Sequence, residues 1–166
     1  AIILRHPTEG AARFAAEIAE KPVINGGSGS EEHPTQAMVD LYTIIAEKKE
    51  INGLNIALVG DLKYGRTVYS LLYGLAKYSP NIFLVSPPQL KIRNEIHNDL
   101  DNKIKMVEID EAESIIDKLD VMYVTRIQKE RVPDPAEYEK VKGSYIIDNK
   151  LIEKAKDNLM ILHPLP

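Results

Sequence analysis

Three arginines, Arg5, Arg66 and Arg126, lie at or shortly past the ends of short apolar runs that are typical of buried strands. The chain uses arginine sparingly, with six arginines against fifteen lysines. A guanidinium can bind a carboxylate or a phosphate through two parallel hydrogen bonds, whereas the lysine ammonium acts as a point charge. Any one of the three could be an ordinary loop arginine, but three at equivalent strand ends predict a site for anionic small molecules.

His33 directly precedes Pro34 in the segment SGSEEHPTQAM. Proline is favoured at the first position of a helix, so His33 is predicted to cap that helix. Histidine is a poorer cap than serine, threonine, asparagine or aspartate, which suggests another role for its side chain. The positive end of a helix favours a neutral imidazole, whose N–H can polarise a carbonyl group. Gln36 is predicted near the same helix end, although an exposed turn histidine remains the alternative interpretation of this segment.

The loop GDLKYGRT, residues 60–67, follows an apolar run and resembles a nucleotide-binding loop. It fits neither of the two common glycine-rich nucleotide motifs, because Asp61 and Lys63 stand where a dinucleotide motif needs glycine. The loop does place Arg66 and Thr67 at a predicted helix N-terminus, where free N–H groups favour an anion. No cofactor is therefore expected, and the loop favours an anionic substrate group.

Composition excludes several classes of function. The 166 residues carry a formal net charge of −4, so no basic field predicts binding to nucleic acid or to an anionic membrane. The chain has no cysteine, which excludes disulfides, thiolate zinc sites and cysteine nucleophiles. The remaining histidines, His6, His97 and His163, share no metal-ligand spacing, so no metal is expected. No apolar run approaches the length of a membrane span, and a cytoplasmic location is compatible with these features.

Strand-like and helical patterns alternate along the chain, which predicts an α/β fold with a doubly wound parallel sheet of the Rossmann-like, three-layer kind. The predicted strands are 2–4, 22–24, 56–59, 82–85, 104–109, 121–124 and 160–162. The predicted helices are 8–19, 34–50, 66–78, 88–98, 111–119, 135–142 and 149–156. Ligands of such sheets bind beyond the carboxyl ends of the strands, where the three arginines are expected.

The patterns divide the chain into three parts: the end of one α/β domain (1–33), a connecting helix (34–50) and a nearly complete second domain (51–166). The first residues already have the pattern of a buried strand, and the last residues, LHPLP, stop abruptly. We therefore expect a segment of a longer protein.

Five motifs, taken together and in order, resemble the aspartate carbamoyltransferase family, catalytic chain. They are RHP (5–7), GSGSEEHPTQ (27–36), VGDLKYGRTVYSL (59–71), YVTRIQKER (123–131) and LHPLP (162–166). The resemblance implies that residues 1–33 end a carbamoyl-phosphate domain and that 51–166 form an aspartate domain, so the two-domain architecture is only partly present. It also implies a homotrimer with active sites shared between neighbours, and it leaves the presence of regulatory chains open.

The same resemblance implies transfer of the carbamoyl group of carbamoyl phosphate to the amine of L-aspartate, an early step of pyrimidine biosynthesis. The implied carbamoyl-phosphate site consists of Arg5, His33, Gln36, Pro164, Leu165 and Pro166. Arg5 would contact the phosphate and the carbonyl, His33 would bond the carbonyl oxygen, and Gln36 with the backbone of Pro164 and Leu165 would hold the NH2 group. Pro166 would close the HPLP turn.

The implied aspartate site consists of Arg66 for the α-carboxylate and of Arg126 with Gln128 for the β-carboxylate. An ornithine-type carbamoyltransferase is the nearest rival, but Arg126 would repel the distal ammonium of ornithine. The residues also leave open a Rossmann-type oxidoreductase and a non-catalytic homologue. The 166 residues alone are expected to show little turnover, because the phosphate-binding loop that the family carries upstream is missing from them.

Overall fold

The computed structural model describes residues 1–127 and 134–164. The first part of the chain forms a two-stranded parallel sheet from β1 (Ile2–His6) and β2 (Val23–Ser28), linked by helix α1 (Ala11–Ile18). Helix α2 (Pro34–Lys48) then leads from this small sheet into the larger one.

The larger sheet has five parallel strands in the order β5-β4-β3-β6-β7. The strands are β3 (Asn55–Gly60), β4 (Asn81–Val85), β5 (Lys105–Ile109), β6 (Val121–Thr125) and β7 (Met160–Leu162). The helices between them are α3 (Arg66–Leu75), α4 (Asn94–Leu100), α5 (Pro135–Val141) and α6 (Asn149–Ile152). From β3 the chain winds outward to β5, then returns to add β6 and β7 on the other side, which confirms the doubly wound α/β prediction.

Apolar side chains of strand β3 pack against other residues on both faces of the larger sheet. Successive side chains of a strand point to opposite faces, and residues 56–59 are all fully buried. Ile56 and Leu58 pack in one apolar cluster with Leu72 of α3, whereas Ala57 and Val59 pack in a second cluster with residues that include Leu151 of α6. The sheet is therefore the middle of three layers, as predicted.

Two predicted helices are wrong in detail. The predicted helix 88–98 is a 3₁₀ turn, Pro88–Leu90, followed by extended backbone and then by α4. The carbonyl of Leu90 accepts the N–H of Leu62, and the Leu90 side chain is buried, so tertiary contacts set this conformation. The predicted helix 111–119 is a pair of 3₁₀ turns, Ala112–Ser114 and Ile116–Lys118, interrupted at Ile115.

The predicted apolar face of α2 is correct for one residue only. The sequence predicts a stripe of Met38, Leu41, Tyr42 and Ile45, of which Leu41 packs against the larger apolar cluster and Ile45 is exposed. Met38 and Tyr42 are instead 68% and 74% exposed, and the buried residues of the helix are Ala37, Asp40 and Ile44. A carboxylate thus occupies a buried helix position that apolar periodicity cannot indicate.

The small sheet departs from expectation at both strands. The sequence predicts a buried β1, but Ile3 is 75% exposed. Glycine and serine are common in turns, so the sequence predicts a turn over residues 25–30, but β2 continues to Ser28. Gly27 has a φ of 119°, which other residues rarely adopt, and it lies where the register between β1 and β2 shifts.

Candidate active site

The candidate site lies where the chain reverses its winding, at the carboxyl ends of β3 and β6. These neighbouring parallel strands end in register, with Gly60 beside Thr125. The loop after β3 leads to α3, and the segment after β6 begins with Arg126. The end of β2 and the start of α2 also lie here, because α2 and α3 pack against each other and Arg66 of α3 bonds to Gly29. This is the position that the doubly wound fold predicts for a ligand.

His33 caps α2 as predicted, and its hydrogen bonds define its tautomer. Its Nδ1 accepts the backbone N–H of Gln36 at 3.4 Å, and the Thr35 hydroxyl lies 3.3 Å from the same atom. In a neutral imidazole one nitrogen accepts and the other carries the proton. The acceptor role of Nδ1 in this cap favours the neutral tautomer with the proton on Nε2. The backbone N–H of His33 donates to Ser70 Oγ of α3 at 2.7 Å, which ties the cap to the second part of the chain.

The surroundings of His33 favour its neutral form. Partial burial lowers the pKa of the imidazole, and the positive charges of Arg66 and Arg5 lower this pKa further. Both effects disfavour a second positive charge at this point. His33 thus presents an N–H donor without a full charge, close to two guanidinium groups.

Arg66 begins α3 and reaches back to the end of β2. Its Nη1 donates to the Gly29 carbonyl at 2.9 Å. Its guanidinium lies against Gly27, where an added Cβ would be 3.0 Å from Arg66 Cζ. The glycine-rich segment 26–29 therefore leaves room for the Arg66 guanidinium and also allows the backbone to turn sharply.

A cavity of about 850 Å³ brings Arg5 and Arg66 together at this place. Its lining also includes Glu9, Ser30, Tyr64 and Arg93. Two of the three arginines singled out in the sequence therefore share one basic cavity, as expected for a site that binds anions.

The sequence prediction misses Arg93 as a residue of this cavity. Arg93 donates to the Lys63 carbonyl at 3.1 Å and to Ser30 Oγ at 3.3 Å, and its guanidinium lies 5.3 Å from the Tyr69 ring centre. It lies in the extended segment that the sequence assigns to a helix, between the 3₁₀ turn after β4 and the start of α4. No sequence signal separates it from a surface arginine.

The third predicted arginine, Arg126, lines a different cavity of about 350 Å³, together with Thr125, Lys142 and His163. The structure therefore does not place Arg126 in one cavity with Arg5 and Arg66. Pro164 follows His163 just past the end of β7, the neighbour of β6. The other predicted residues, Gln128, Leu165 and Pro166, are outside the described residues.

Gln36 lies in the first turn of α2, near the helix start where His33 is located. Its Nε2 donates to Asp40 Oδ1 at 2.9 Å, and the Tyr123 hydroxyl donates to Asp40 Oδ2 at 2.8 Å. The side-chain amide nitrogen of Gln36 is therefore bound to a buried carboxylate. Asp40 lies outside the quoted motifs, and Tyr123 begins one of them, YVTRIQKER, without being indicated as its partner.

Within residues 1–127 and 134–164, no group of three or more His, Asp or Glu side chains is arranged to hold a metal ion. None of the helices described is long and apolar enough to cross a membrane.

A doubly wound sheet with a basic cavity beside the loop that follows β3 is typical of α/β proteins that bind small anionic molecules. Comparison with known proteins is more specific. A family model described as the Asp/Orn binding domain of aspartate/ornithine carbamoyltransferase matches residues 52–166, and the carbamoyl-P binding domain of the same family matches residues 1–46. The chain belongs to the aspartate/ornithine carbamoyltransferase family, which confirms the resemblance seen in the motifs.

Two similar proteins are named as the catalytic subunit of aspartate carbamoyltransferase, also called aspartate transcarbamoylase. The aspartate carbamoyltransferase catalytic subunit of Nitrosopumilus maritimus is 58% identical over 166 residues, which are all of this chain and 54% of the relative. The catalytic subunit of aspartate transcarbamoylase from M. jannaschii superposes with a TM-score of 0.87 at 53% identity, over 99% of this chain and 54% of that one. The chain thus spans about half the length of the relatives it matches.

A solved structure of a relative holds both small molecules that the motifs suggest. Aspartate transcarbamoylase from Trypanosoma cruzi, in complex with carbamoyl phosphate and aspartate, superposes with a TM-score of 0.89 at 34% identity. The match covers 99% of this chain and 53% of that one.

Proposed function

We propose that the protein carrying these residues is an aspartate carbamoyltransferase catalytic chain, which transfers the carbamoyl group of carbamoyl phosphate to L-aspartate. The observation that carries the proposal is the arrangement of His33. Its neutral ring has a proton on Nε2, and the charges of Arg5 and Arg66 act on it. A neutral N–H donor near two cations can stabilise a carbonyl oxygen that gains negative charge beside a phosphate.

In this proposal carbamoyl phosphate binds at the start of α2. Arg5 contacts the phosphate and the carbonyl, and His33 bonds the carbonyl oxygen. Gln36 holds the NH2 group, with the backbone of Pro164 and Leu165 and the turn closed by Pro166. The cavity shared by Arg5 and Arg66 supports this arrangement, because it supplies two guanidinium groups whose charges act on His33.

L-Aspartate binds through its two carboxylates, the α-carboxylate to Arg66 and the β-carboxylate to Arg126 and Gln128. Arg66 and Arg126 follow the neighbouring strands β3 and β6, which end in register, and this supports a small substrate that both guanidinium groups contact. Each charge-assisted hydrogen bond contributes about 1.5–3 kcal/mol. The distal ammonium of ornithine would be repelled by Arg126, and the similar proteins from N. maritimus and M. jannaschii are named for aspartate.

The residues act by alignment and by electrostatic stabilisation. The substrate amine is the nucleophile, so no nucleophilic side chain is needed, and phosphate is already a good leaving group. Holding the amine next to the carbonyl carbon lowers the entropic part of the barrier. His33 Nε2–H and Arg5 then stabilise the charge that develops on the carbonyl oxygen in the transition state.

The same proposal extends to the organisation of the protein. Residues 1–33 end the carbamoyl-phosphate domain, 34–50 form the interdomain helix and 51–166 belong to the aspartate domain. We propose a homotrimer in the cytoplasm. Apolar side chains left exposed on α1 and α2, among them Phe14 at 65% and Tyr42 at 74%, support burial against further protein surface.

The direct test is an assay of carbamoyl transfer by the full natural chain that carries these residues, with L-aspartate and L-ornithine as competing acceptors. We expect formation of N-carbamoyl-L-aspartate and phosphate, and no transfer to ornithine. The 166-residue chain should give little turnover in the same assay. Transfer to ornithine in preference to aspartate would contradict the proposal, as would the absence of transfer to either acceptor.

Binding offers a second measurement. A bisubstrate mimic that joins a phosphonate to an aspartate moiety should raise the melting temperature of the full chain as its concentration rises, because it binds the folded state alone. A melting temperature that does not respond would indicate that the two substrate sites are not formed together.

A further inference from the structure

We propose that Asp40 is a positioning residue, which holds the Gln36 amide so that its carbonyl oxygen faces the NH2 group of carbamoyl phosphate. This inference rests on the proposed function, because it assigns a role to a residue that touches no substrate. It is carried by the hydrogen bonds that Asp40 makes inside the protein.

Both carboxylate oxygens of Asp40 accept a hydrogen bond. Oδ1 accepts from Gln36 Nε2 at 2.9 Å, and Oδ2 accepts from the Tyr123 hydroxyl at 2.8 Å. An ionised carboxylate can only accept, so it selects the nitrogen end of the Gln36 amide. The oxygen end of that amide must then point elsewhere. An acceptor at that end is what the two N–H groups of a carbamoyl group require.

The anchor of this arrangement is rigid. Tyr123 is fully buried in β6, an interior strand of the larger sheet, and lies 83 residues from Asp40 along the chain. The orientation of Gln36 is thus set by the core of the second part of the chain, and the local helix contributes only the spacing.

Burial of the Asp40 carboxylate costs free energy, which argues against a purely structural role for this residue. The residue is only 5% exposed, and burial raises the pKa of its carboxyl group. Its helix neighbours in the buried stripe, Ala37 and Ile44, are apolar. Replacing a buried charge and its partner by apolar groups is often neutral or stabilising. A carboxylate at this buried position is explained by the acceptor it provides for Gln36.

Asparagine, the neutral isostere of aspartate, would no longer select the nitrogen end of the Gln36 amide. In Asp40→Asn the new amide can donate to Gln36 Oε1, and the Gln36 amide is then free to turn over. Its nitrogen would face the carbamoyl NH2, where two donors repel. The substitution changes no volume in the core, so packing is preserved.

The test is a double-mutant cycle in the full natural chain with Asp40→Asn, Gln36→Ala and the double variant. Asp40→Asn alone should raise the KM and the calorimetric Kd for carbamoyl phosphate by about tenfold, which corresponds to about 1.4 kcal/mol. The KM for aspartate should change much less. In the Gln36→Ala background the same substitution should change carbamoyl-phosphate affinity by less than about twofold, because the positioned group is gone.

Two further variants distinguish the positioning role of Asp40 from an effect on folding. Tyr123→Phe leaves the Asp40–Gln36 bond in place and should cause a smaller loss of affinity than Asp40→Asn. Asp99→Asn removes an exposed carboxylate that pairs with Lys103 and should have no effect on affinity. The melting temperature of Asp40→Asn should equal or exceed that of the parent.

The inference is overturned if the effects of Asp40→Asn and Gln36→Ala are additive, or if Asp40→Asn leaves carbamoyl-phosphate affinity unchanged. Should Asp40→Asn fail to fold, the cycle is repeated with Tyr123→Phe, and additivity with Gln36→Ala again overturns it. A parent chain that neither binds nor transfers the carbamoyl group overturns the proposed function itself, and the role of Asp40 with it.

Discussion

Arg66 and Gly27 are in direct contact across the boundary between the two sheets. A Cβ added to Gly27 would lie 3.0 to 3.2 Å from three atoms of the Arg66 guanidinium. The φ of Gly27 is 119°, so a side chain there would be strained, and it would also press on the Arg66 guanidinium. The guanidinium proposed to bind the α-carboxylate of aspartate is therefore placed by the absence of a side chain in β2.

Gly27→Ala should raise the KM for L-aspartate, because the new methyl group displaces the Arg66 guanidinium. It should also cost about 1–3 kcal/mol of stability through backbone strain. The measurements are steady-state kinetics of the full chain and chemical denaturation. Gly53→Ala is the matched control, because Gly53 has a φ of 76° and a Cβ added there would meet no atom within 4 Å. It should lose stability without a change in KM.

His33→Ala should lower kcat by about a hundredfold to a thousandfold, as expected for the loss of one oxyanion donor. Aspartate affinity should change little, because the carboxylates are held elsewhere. His33→Gln, whose amide nitrogen can donate from a similar position, should retain part of the activity. An unchanged kcat in His33→Ala would remove this residue from the proposed mechanism.

The pH dependence of kcat should also reflect His33. Its pKa lies below the ordinary value of about 6.5, because of burial and the charges of Arg66 and Arg5. The neutral ring is the active form, so its contribution to kcat should persist as the pH falls through 6.5 and disappear only at lower pH. Folding stability should decline as the pH falls below 6.5, since the unfolded chain takes up the proton more readily. The His33→Gln variant should show neither dependence, and an activity that halves near pH 6.5 would contradict a lowered pKa.

Arg126→Ala should mainly impair the use of aspartate. The loss of a charge-assisted contact to the β-carboxylate corresponds to a rise in aspartate KM of about 10- to 150-fold. Arg13→Ala, which removes an exposed arginine of α1 outside both cavities, serves as the control. A fall in carbamoyl-phosphate affinity with unchanged aspartate KM would contradict the assignment.

Arg93→Gln should weaken binding of anionic substrates slightly, because it removes one of the cations that line the larger cavity. An effect of about 0.2–1 kcal/mol is expected for a charge that remains partly solvated, and it should shrink at high salt. Lys91→Gln removes an equal charge two residues away, from a lysine that pairs with Glu108, and should have no effect. Equal effects of the two substitutions would indicate a general loss of charge without a local contribution of Arg93.

The fold class and most predicted site residues follow from local patterns. Apolar runs alternate with helical segments, so the strands of the larger sheet are recognisable within one or two residues of their ends. His33 is recognisable as a cap because Pro34 is suited to the first position of a helix. Arg66 is placed at a helix N-terminus by its loop, and α3 does begin at Arg66.

Only the tertiary structure shows which of these residues lie close together and which contacts orient their side chains. Arg5 and Arg66 share a cavity, whereas Arg126 lines another, and no spacing in the sequence could separate them. Asp40 lies on the buried side of α2 because its partner is a tyrosine 83 residues away. Helical periodicity reports only the average polarity of a face, so it assigned Met38 and Tyr42 to the core. A hydrogen bond between distant segments leaves no trace in local sequence, and for that reason the orientation of Gln36 became visible only in the folded chain.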